Sequence, residues 1–464
     1  MSDYRIEHDS LGEVQVPADA LWGAQTQRAI NNFAIARPLP NAFIQAVAQI
    51  KQNAAAANGQ LGLLTAEVAA AIQSAATRIV AGEFADQFPV DVFQTGSGTS
   101  TNMNVNEVIA HLCQQAGVDV HPNDQVNLGQ SSNDTIPSAI HLATARYFSE
   151  QLLPALTLLR EQINASEKQW RQVVKPGRTH LMDAMPITFG QQLAGWQAQL
   201  DHADNVLRQA LQGLLIIPQG GTAVGTGINC HRDFPRLFAE QLAAQTGLAF
   251  QPMNSPLAAQ AAIDRPLTAS SALRSLAVAL IKIGNDLRWM NSGPQHGLAE
   301  ICLPAVQPGS SIMPGKVNPV ICESMCMVSA QVIGLDQANT LAAQSGNFEL
   351  NVMLPLMADN LLSMSSMLAR AMTMLAKQAL AEMTVNRTAL AERISRNPVL
   401  VTALNPLIGY QRAAEIAKAA YASGRPVIEV ALEHTDLSRA ELEKWLDPVT
   451  LTRGGFGSEP DSSS

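Results

Sequence analysis

The chain has 464 residues, with 30 lysines and arginines against 39 aspartates and glutamates, and a formal net charge of −9 at pH 7. A length beyond the ~250 to 300 residues at which a single core stops growing predicts two or three domains. The acidic balance, without a block of five like charges, argues against nucleic acid or an anionic membrane as a partner. An anionic substrate must therefore be attracted by local groups.

The five cysteines are odd in number, scattered and without a C-x-x-C pair, which is typical of a reducing compartment. Cys322 and Cys326 are four residues apart, but no third or fourth ligand stands near them, so no metal site is predicted. The opening residues lack the apolar core of a signal peptide, and Pro218 and several glycines interrupt the longest uncharged stretch, 209–230. We therefore expect a cytoplasmic protein without a membrane partner.

The central part of the chain, residues 133–392, is predicted to be a bundle of long helices. Apolar residues recur at three- and four-residue intervals along two seams, 193–214 and 273–290. A third run, 353–380, is apolar nearly all round, which predicts a helix buried by several neighbours, with other subunits among them. The predicted fold class is mainly α, with a central long-helix bundle that assembles into a multi-subunit helical core.

Two smaller domains are predicted to flank the bundle. Residues 1–132 are richer in Pro, Gly and Asn, with helices over 41–58 and 65–81. Residues 393–464 are predicted to form a small helical domain, with two short helices punctuated by Asn405-Pro406 and a frayed carboxy terminus.

Two polar segments, residues 95–108 and 129–143, each lead into a predicted helix. Glycines in the first segment permit close approach of the backbone to a ligand, and Ser100 or Thr101 is predicted to cap a helix running on from Asn102. The free N–H groups and positive dipole end of a helix start favour a carboxylate. Taken alone, the sequence of each segment is also typical of an ordinary capped helix without a ligand.

Two more loops follow. Residues 177–190 contain His180, and histidine is the side-chain type that most readily exchanges a proton with water near neutral pH. Residues 219–229, QGGTAVGTGIN, have four glycines and no titrating group, so we interpret them as a close-packing element near the site.

The segment GSSIMPGKVNP, from Gly309 to Pro319, concentrates two hydroxyls, a lysine and an amide in an ordered loop that bends. Lys316 offers a compact charge with three donors and Asn318 a neutral NH2 group, and both suit a carboxylate. The segment imitates a phosphate-binding loop. Pro314 and Val317 replace the glycine and the hydroxyl residue which that motif requires, so nucleotide hydrolysis is not predicted.

This loop closely resembles the signature of the fumarase/aspartase superfamily, whose members add or remove a small group across the double bond of a fumaryl unit. Gly315 stands where aspartases typically have alanine, so the GKVN form resembles class II fumarases. The opening RIEHDSLGEVQVPADALWGAQTQRAINNF and the late segment NPLIGYQRAAEIAKAA resemble the two ends of the same family. The resemblance therefore covers the whole chain.

The resemblance implies reversible hydration of fumarate to L-malate in the tricarboxylic acid cycle. It implies no cofactor, and a homotetramer whose sites combine loops of three subunits. Ser310 is implied as the base that takes the carbon-bound proton, with His180 on the water side and Glu323 pairing with its imidazole. Residues implied to bind the small dicarboxylate are Ser97, Gly98, Thr99, Ser131, Ser132, Asn133, Thr179, Ser311, Lys316, Val317 and Asn318.

Two departures from the family pattern stand out. An accessory anion site is matched by His121, Pro122, Asn123 and Asp124, whereas the basic residues that often precede it are absent from 117–120. Gln295 follows the SGP motif where arginine is common, so substrate preference is expected to drift. An aspartase, a hydratase of a substituted fumarate such as mesaconate, and a catalytically silent structural relative remain as alternatives.

Overall fold

A computed structural model describes residues 4–455 and confirms the predicted mainly α fold class. The helices are α1 (Ala24–Asn32), α2 (Asn41–Gln60), α3 (Ala66–Val80), α4 (Thr99–Gln115), α5 (Ser132–Tyr147), α6 (Leu153–Trp170), α7 (Phe189–Leu214), α8 (Phe234–Thr246), α9 (Pro256–Ala261), α10 (Asp264–Met290), α11 (Val320–Ala343), α12 (Leu354–Leu375), α13 (Arg387–Ser395), α14 (Asn405–Ile408), α15 (Tyr410–Ser423), α16 (Val427–His434), α17 (Arg439–Trp445) and α18 (Pro448–Leu451). Short 3-10 helices cover Ala85–Gln87 and Pro398–Leu404, and π-helical turns cover Pro122–Val126, Phe148–Leu152 and Ala376–Leu380.

The strands in the described part of the chain form four two-stranded sheets. Their members are β1 (Tyr4–Asp9) with β2 (Gly12–Pro17), β3 (Val174–Thr179) with β4 (Met182–Thr188), β5 (Ile216–Ile217) with β6 (Gln251–Pro252), and β7 (Ile301–Cys302) with β8 (Thr384–Val385). The pair β5 and β6 is parallel and the others are antiparallel.

The chain forms two compact units built from separated stretches of sequence. Unit 1 comprises the chain up to residue 155 with residues 203–278 and 328–370, and unit 2 comprises residues 156–202 and 279–327 with the chain from residue 371 on. The sequence predicts three consecutive domains instead, over residues 1–132, 133–392 and 393–464, and those boundaries stay a prediction.

Helix α2 organises the core of unit 1 by packing against α3, α5 and α8. Its fully buried residues include Val47, Ile50 and Ala54, whose three- and four-residue spacing places them on one face. The predicted helices over 41–58 and 65–81 are confirmed within two residues at each end.

The predicted apolar seams are buried along α7 and α10. The seam residues are Leu193, Trp196, Leu200, Ala203, Leu207, Leu211 and Leu214 in α7, and Leu273, Leu276, Leu280, Ile283, Leu287 and Met290 in α10. Helix α10 is long and apolar enough to cross a bilayer, yet 56% of its most apolar window is buried inside the protein. Burial of this kind is typical of a core helix.

Helix α12 and the π-helical turn after it coincide with the predicted apolar run over 353–380. Most of its apolar side chains are already buried within one chain, and the expectation that other subunits help to cover this helix stays a prediction. Exposed large apolar side chains lie on α10 and α11 instead. They are Val278, Trp289, Met327 and Leu341.

The carboxy-terminal helices α14 to α18 share a small core that includes Leu404, Ile416, Val430 and Leu442. The predicted break at Asn405-Pro406 is confirmed, because α14 begins at Asn405, and further caps divide the rest of the segment into more helices. Gly424 ends α15 at a φ of 65°, Ser438 begins α17 with a capping box, and Asp447 caps α18. The end of the predicted frayed terminus, residues 456–464, lies outside the described residues.

Candidate active site

The loop from Gly309 to Asn318 is closed by its own hydrogen bonds. The Gly309 N–H donates to the Lys316 carbonyl at 2.8 Å, and the Asn318 amide donates to the Gly309 carbonyl at 2.8 Å. A Cβ at Gly309 would lie 2.6 Å from the Lys316 carbonyl oxygen, so only glycine fits there. Gly315 has a φ of 83°, which also favours glycine over the alanine of aspartases. The predicted ordered loop is confirmed.

Ser310 occupies a distinct position inside this loop. Its Oγ accepts the backbone N–H groups of Ile312 at 3.3 Å and Met313 at 3.0 Å. Donors aimed at an oxygen stabilise negative charge on it, as a serine that acts as a base requires. The Lys316 ammonium is exposed and has neither a hydrogen bond nor an ion pair among residues 4–455, which leaves its three donors for a ligand.

The close packing at Gly309 provides a test of the loop geometry. We expect Gly309→Ala to lower kcat at least ~10-fold, because a displaced Lys316 carbonyl moves the loop out of register and small misplacements are costly in catalysis. The melting temperature should change little, since the loop is largely exposed. Gly195→Ala in α7, where a new Cβ meets nothing within 4 Å, is the matched control and should keep wild-type kcat. A fully active Gly309→Ala enzyme would contradict this geometry.

His180 lies at the tip of the β3–β4 hairpin. His180 and Leu181 are the two turn residues, with φ of 56° and 61°, the left-handed pair that two-residue hairpins use. Both side chains are exposed, and Thr179 is the last residue of β3. Gly177 interrupts the strand pairing, and a Cβ there would lie 2.5 Å from the Met185 carbonyl oxygen. The turn therefore leaves the imidazole accessible at the tip of the hairpin.

A buried charge cluster anchors the same hairpin. Glu300 is fully buried and pairs with Lys175 at 2.9 Å and with Arg178 at 2.6 Å. Burial lowers the pKa of Lys175, and Glu300 partly offsets that shift. Because a buried carboxylate must be paired, Glu300 fixes β3 just before Thr179 and His180. Sequence reasoning missed this residue.

Glu323 lies in the first turn of α11, which begins at Val320. Within residues 4–455 of one chain, neither a hydrogen bond nor an ion pair joins its carboxylate to His180. The pairing of the two therefore stays a prediction.

The first polar segment differs from its prediction. Helix α4 begins at Thr99, with Gly98 as its N-cap at a φ of 73° and no side-chain cap, so the predicted cap at Ser100 or Thr101 is wrong. Gln94 instead accepts both the N–H and the hydroxyl of Thr101, each at 2.9 Å. The Ser97 and Thr99 hydroxyls lie 2.9 Å apart, beside this helix start.

The glycines of that segment permit close packing inside the protein. A Cβ at Gly96 would lie 1.9 Å from the Val352 carbonyl oxygen, and one at Gly98 would lie 2.8 Å from the Ile136 side chain. Internal packing in unit 1 thus requires both glycines, and their role beside a ligand stays a prediction. Asn102 in the first turn of α4 donates to the Ser132 hydroxyl at 3.3 Å, which joins the starts of α4 and α5.

The second segment is held to the glycine-rich loop by Asp134. Ser131 caps α5, and Asp134 completes the capping box. The other oxygen of Asp134 accepts the N–H groups of Gly220 and Thr222, each at 2.9 Å. Asn133 donates to the Ala223 carbonyl at 2.8 Å. The glycine-rich loop is thus confirmed as a packing element beside the predicted substrate residues.

The HPND segment forms its own turn in unit 1. The Nδ1 atom of His121 accepts the N–H groups of Asn123 at 3.3 Å and Asp124 at 3.2 Å, and Pro122 begins a π-helical turn. This nitrogen is therefore occupied by the backbone. The accessory anion site stays a prediction.

The predicted residues divide between the two units. Unit 1 contains Ser97, Gly98, Thr99 and Ser131 to Asn133, and unit 2 contains Thr179, His180, Glu323 and the loop from Ser310 to Asn318. A cavity of about 970 Å³ in unit 2, beside α13 and the carboxy-terminal helices, has none of these residues in its lining.

Known proteins resemble this chain over nearly its whole length. Residues 12–334 match the family model described as lyase, and residues 400–453 match the model described as fumarase C C-terminus. A class II fumarate hydratase of Pseudomonas aeruginosa is 55% identical over 98% of this chain and 100% of its own length. The chain belongs to the class II fumarase family.

Solved structures of the class II fumarase family and of its relatives superimpose closely on the chain. A class II fumarase from Schistosoma mansoni gives a TM-score of 0.95 at 36% identity, covering 97% of this chain and 99% of its own. A fumarate lyase:delta crystallin from Brucella melitensis, bound to cobalt, gives a TM-score of 0.92 at 42% identity, covering 97% and 100%.

Proposed function

We propose that this class II fumarase hydrates fumarate reversibly to L-malate, with Ser310 as the base on carbon. The observation that carries the proposal is the Ser310 hydroxyl, which receives two backbone N–H groups in the loop that also presents Lys316. The 55% identity to a fumarate hydratase over nearly the whole chain supports the reaction.

In the direction of dehydration, Ser310 removes the proton from the carbon next to a carboxylate of malate. The electron pair moves onto that carboxylate and forms an aci-carboxylate. Hydrogen-bond donors stabilise this state more than they stabilise the substrate. Lys316 supplies a charge, and Asn318 supplies the amide hydrogen that is not already used on Gly309. The C–O bond at the neighbouring carbon then breaks. The departing hydroxide takes a proton from His180 and leaves as water.

Unit 1 is proposed to bind the carboxylates. The Ser97 and Thr99 hydroxyls stand at the start of α4, and Ser132 and Asn133 stand in the first turn of α5. Helix N-termini favour anions because their first N–H groups lack intrahelical partners. Hydrogen bonds hold the two helix starts together, so one dicarboxylate can contact both. Thr179, Ser311 and Val317 complete the proposed binding set.

The working form is proposed to be a homotetramer with sites shared between chains. Large apolar side chains stand exposed beside the predicted catalytic residues, including Leu181 and Met182 on the His180 hairpin and Ile312 next to Ser310. Contiguous exposed apolar groups of this kind mark association surfaces. The exposed apolar residues of α10 and α11 offer a further surface for identical subunits.

A direct assay tests the reaction and separates it from the alternatives. The purified protein is incubated with L-malate, L-aspartate and the hydrated form of mesaconate in turn, and the absorbance of the unsaturated product is followed. L-malate is expected to give the highest kcat/KM by far, because a few pocket atoms decide which leaving group is accepted. Turnover of L-aspartate above that of L-malate would replace this proposal with an ammonia lyase.

Activity is expected to be indifferent to chelation. Among residues 4–455, no group of three or more His, Cys, Asp or Glu side chains is arranged to hold a metal ion, and Lys316 supplies the charge that a metal would otherwise provide. We expect unchanged kcat and KM after dialysis against excess EDTA. Loss of activity that a divalent metal restores would overturn this prediction.

A further inference from the structure

Lys51 is a fully buried lysine that none of the proposed catalytic steps uses. It lies in the middle of α2, 0% exposed, and it donates to the Asn127 side-chain oxygen at 2.9 Å and to the Gln130 side-chain oxygen at 3.0 Å. Burying an ammonium is costly, so such a group persists where it is needed. Its two acceptors lie in the short segment that leads into the cap of α5 at Ser131.

Asn127 connects this ammonium to both helix starts that carry predicted substrate residues. Its side-chain oxygen also accepts from Asn102 at 3.1 Å and from Asn106 at 3.2 Å, both in α4. Its amide donates to the Gln130 carbonyl at 3.2 Å. Asn102 in turn donates to the Ser132 hydroxyl at 3.3 Å. One cation therefore lies behind the first turns of α4 and α5.

The charge of Lys51 is balanced by the Asp134 carboxylate, which accepts hydrogen bonds from the surrounding loops. Asp134 is fully buried and accepts the N–H groups of Ser131, Gly220 and Thr222. Burial raises the pKa of Asp134, and the nearby Lys51 opposes that shift. Burial lowers the pKa of Lys51 to about 7, and Asp134 opposes that shift too. The two charges therefore support each other beneath the loops.

We propose that Lys51 is a positioning residue for the dicarboxylate site. Its ammonium fixes Asn127 and Gln130, so that the starts of α4 and α5 are held in register. This inference rests on the proposed function for the identity of the ligand. Its effect is on binding of the dicarboxylate, because Lys51 acts through Asn127 and does not reach the reacting atoms.

The test compares Lys51→Met with Gln49→Met. Methionine keeps an unbranched stem and removes the charge and its donors. Gln49 is its matched control on the same helix, since it is equally buried but bonds to Gln245 and Arg146, away from the substrate loops. KM and kcat for L-malate, the Kd of succinate by calorimetry, and the melting temperature are measured for each.

Lys51→Met is expected to raise KM and the succinate Kd about tenfold, with kcat within about threefold of wild type. Gln49→Met is expected to lower the melting temperature with KM unchanged. If Lys51→Met leaves KM and the succinate Kd within about twofold, Lys51 is only a packing residue and the proposal fails. Succinate binding is independent of turnover, so a wild-type protein that binds succinate without converting L-malate would refute the proposed function and still test Lys51.

A second variant covers the case in which Lys51→Met does not fold. Asn127→Asp keeps the shape and the acceptor for Lys51 but removes the amide that donates to the Gln130 carbonyl. We expect the succinate Kd to rise several-fold in this variant, because the register of the two helix starts is lost. A succinate Kd equal to that of wild type in a folded Asn127→Asp protein would overturn the proposal.

Discussion

Replacement of Ser310 by alanine is expected to lower kcat by at least ~10³, because a positioned general base is worth ~10² to 10⁴ and no neighbouring group can replace the hydroxyl. The Oγ of Ser310 accepts two backbone N–H groups, from Ile312 and Met313, which ready it to carry negative charge. The fold should be retained, because the loop stays closed through Gly309, Lys316 and Asn318. Steady-state kinetics with L-malate and the melting temperature provide the measurement.

Ser345→Ala is the matched control for Ser310→Ala. Ser345 lies in the turn after α11, and its hydroxyl donates to the Leu341 carbonyl, so kcat should stay at the wild-type value. A Ser310→Ala enzyme that keeps more than about a tenth of wild-type turnover would show that another group takes the proton.

The long helices could be predicted from the sequence because their apolar spacing follows the helical period over many turns. Each added turn repeats the signal, so the predicted runs coincide with α7, α10 and α12, although α10 begins at Asp264, well before its predicted seam at 273. The closed loop from Gly309 to Asn318 could also be predicted, because its glycines and prolines restrict local backbone geometry.

Features that depend on distant partners could not be predicted. Gly98 takes a left-handed conformation against Ile136, which moves the start of α4 to Thr99. Glu107 caps the start of α1 from another helix by accepting the Gly23 and Gln25 N–H groups. No local sequence pattern predicts such a contact, since the partners are many residues apart.

The buried charges that support the site could not be predicted from the sequence either. Lys51, Asp134 and Glu300 are each fully buried, and an isolated Lys, Asp or Glu in a sequence is ordinarily read as exposed. Their partners come from other segments, so only the fold reveals that they support predicted substrate or catalytic residues. The β3–β4 hairpin likewise interrupts a region in which helical periodicity dominates, at Pro176 and Pro186.

The second large effect is expected from mixing two inactive variants, His180→Asn and Lys316→Met. Each variant alone should lose most of its activity, because one lacks the group on the water side and the other lacks the charge that stabilises the aci-carboxylate. Glu323 lies in α11, directly after the loop that contains Lys316. Within residues 4–455 of one chain, His180 has neither a hydrogen bond nor an ion pair with Glu323. We therefore predict that His180 and Lys316 serve one site from different chains.

Subunit exchange between these two variants tests that prediction most directly. Equal amounts are unfolded together, reassembled and assayed with L-malate, and exchange is verified by the different masses of the subunits. Random mixing should give about a quarter of the sites both wild-type groups, so about a quarter of wild-type activity should return. No recovery despite verified exchange would mean that both residues come from one chain, and a fully active wild-type monomer would contradict the shared site altogether.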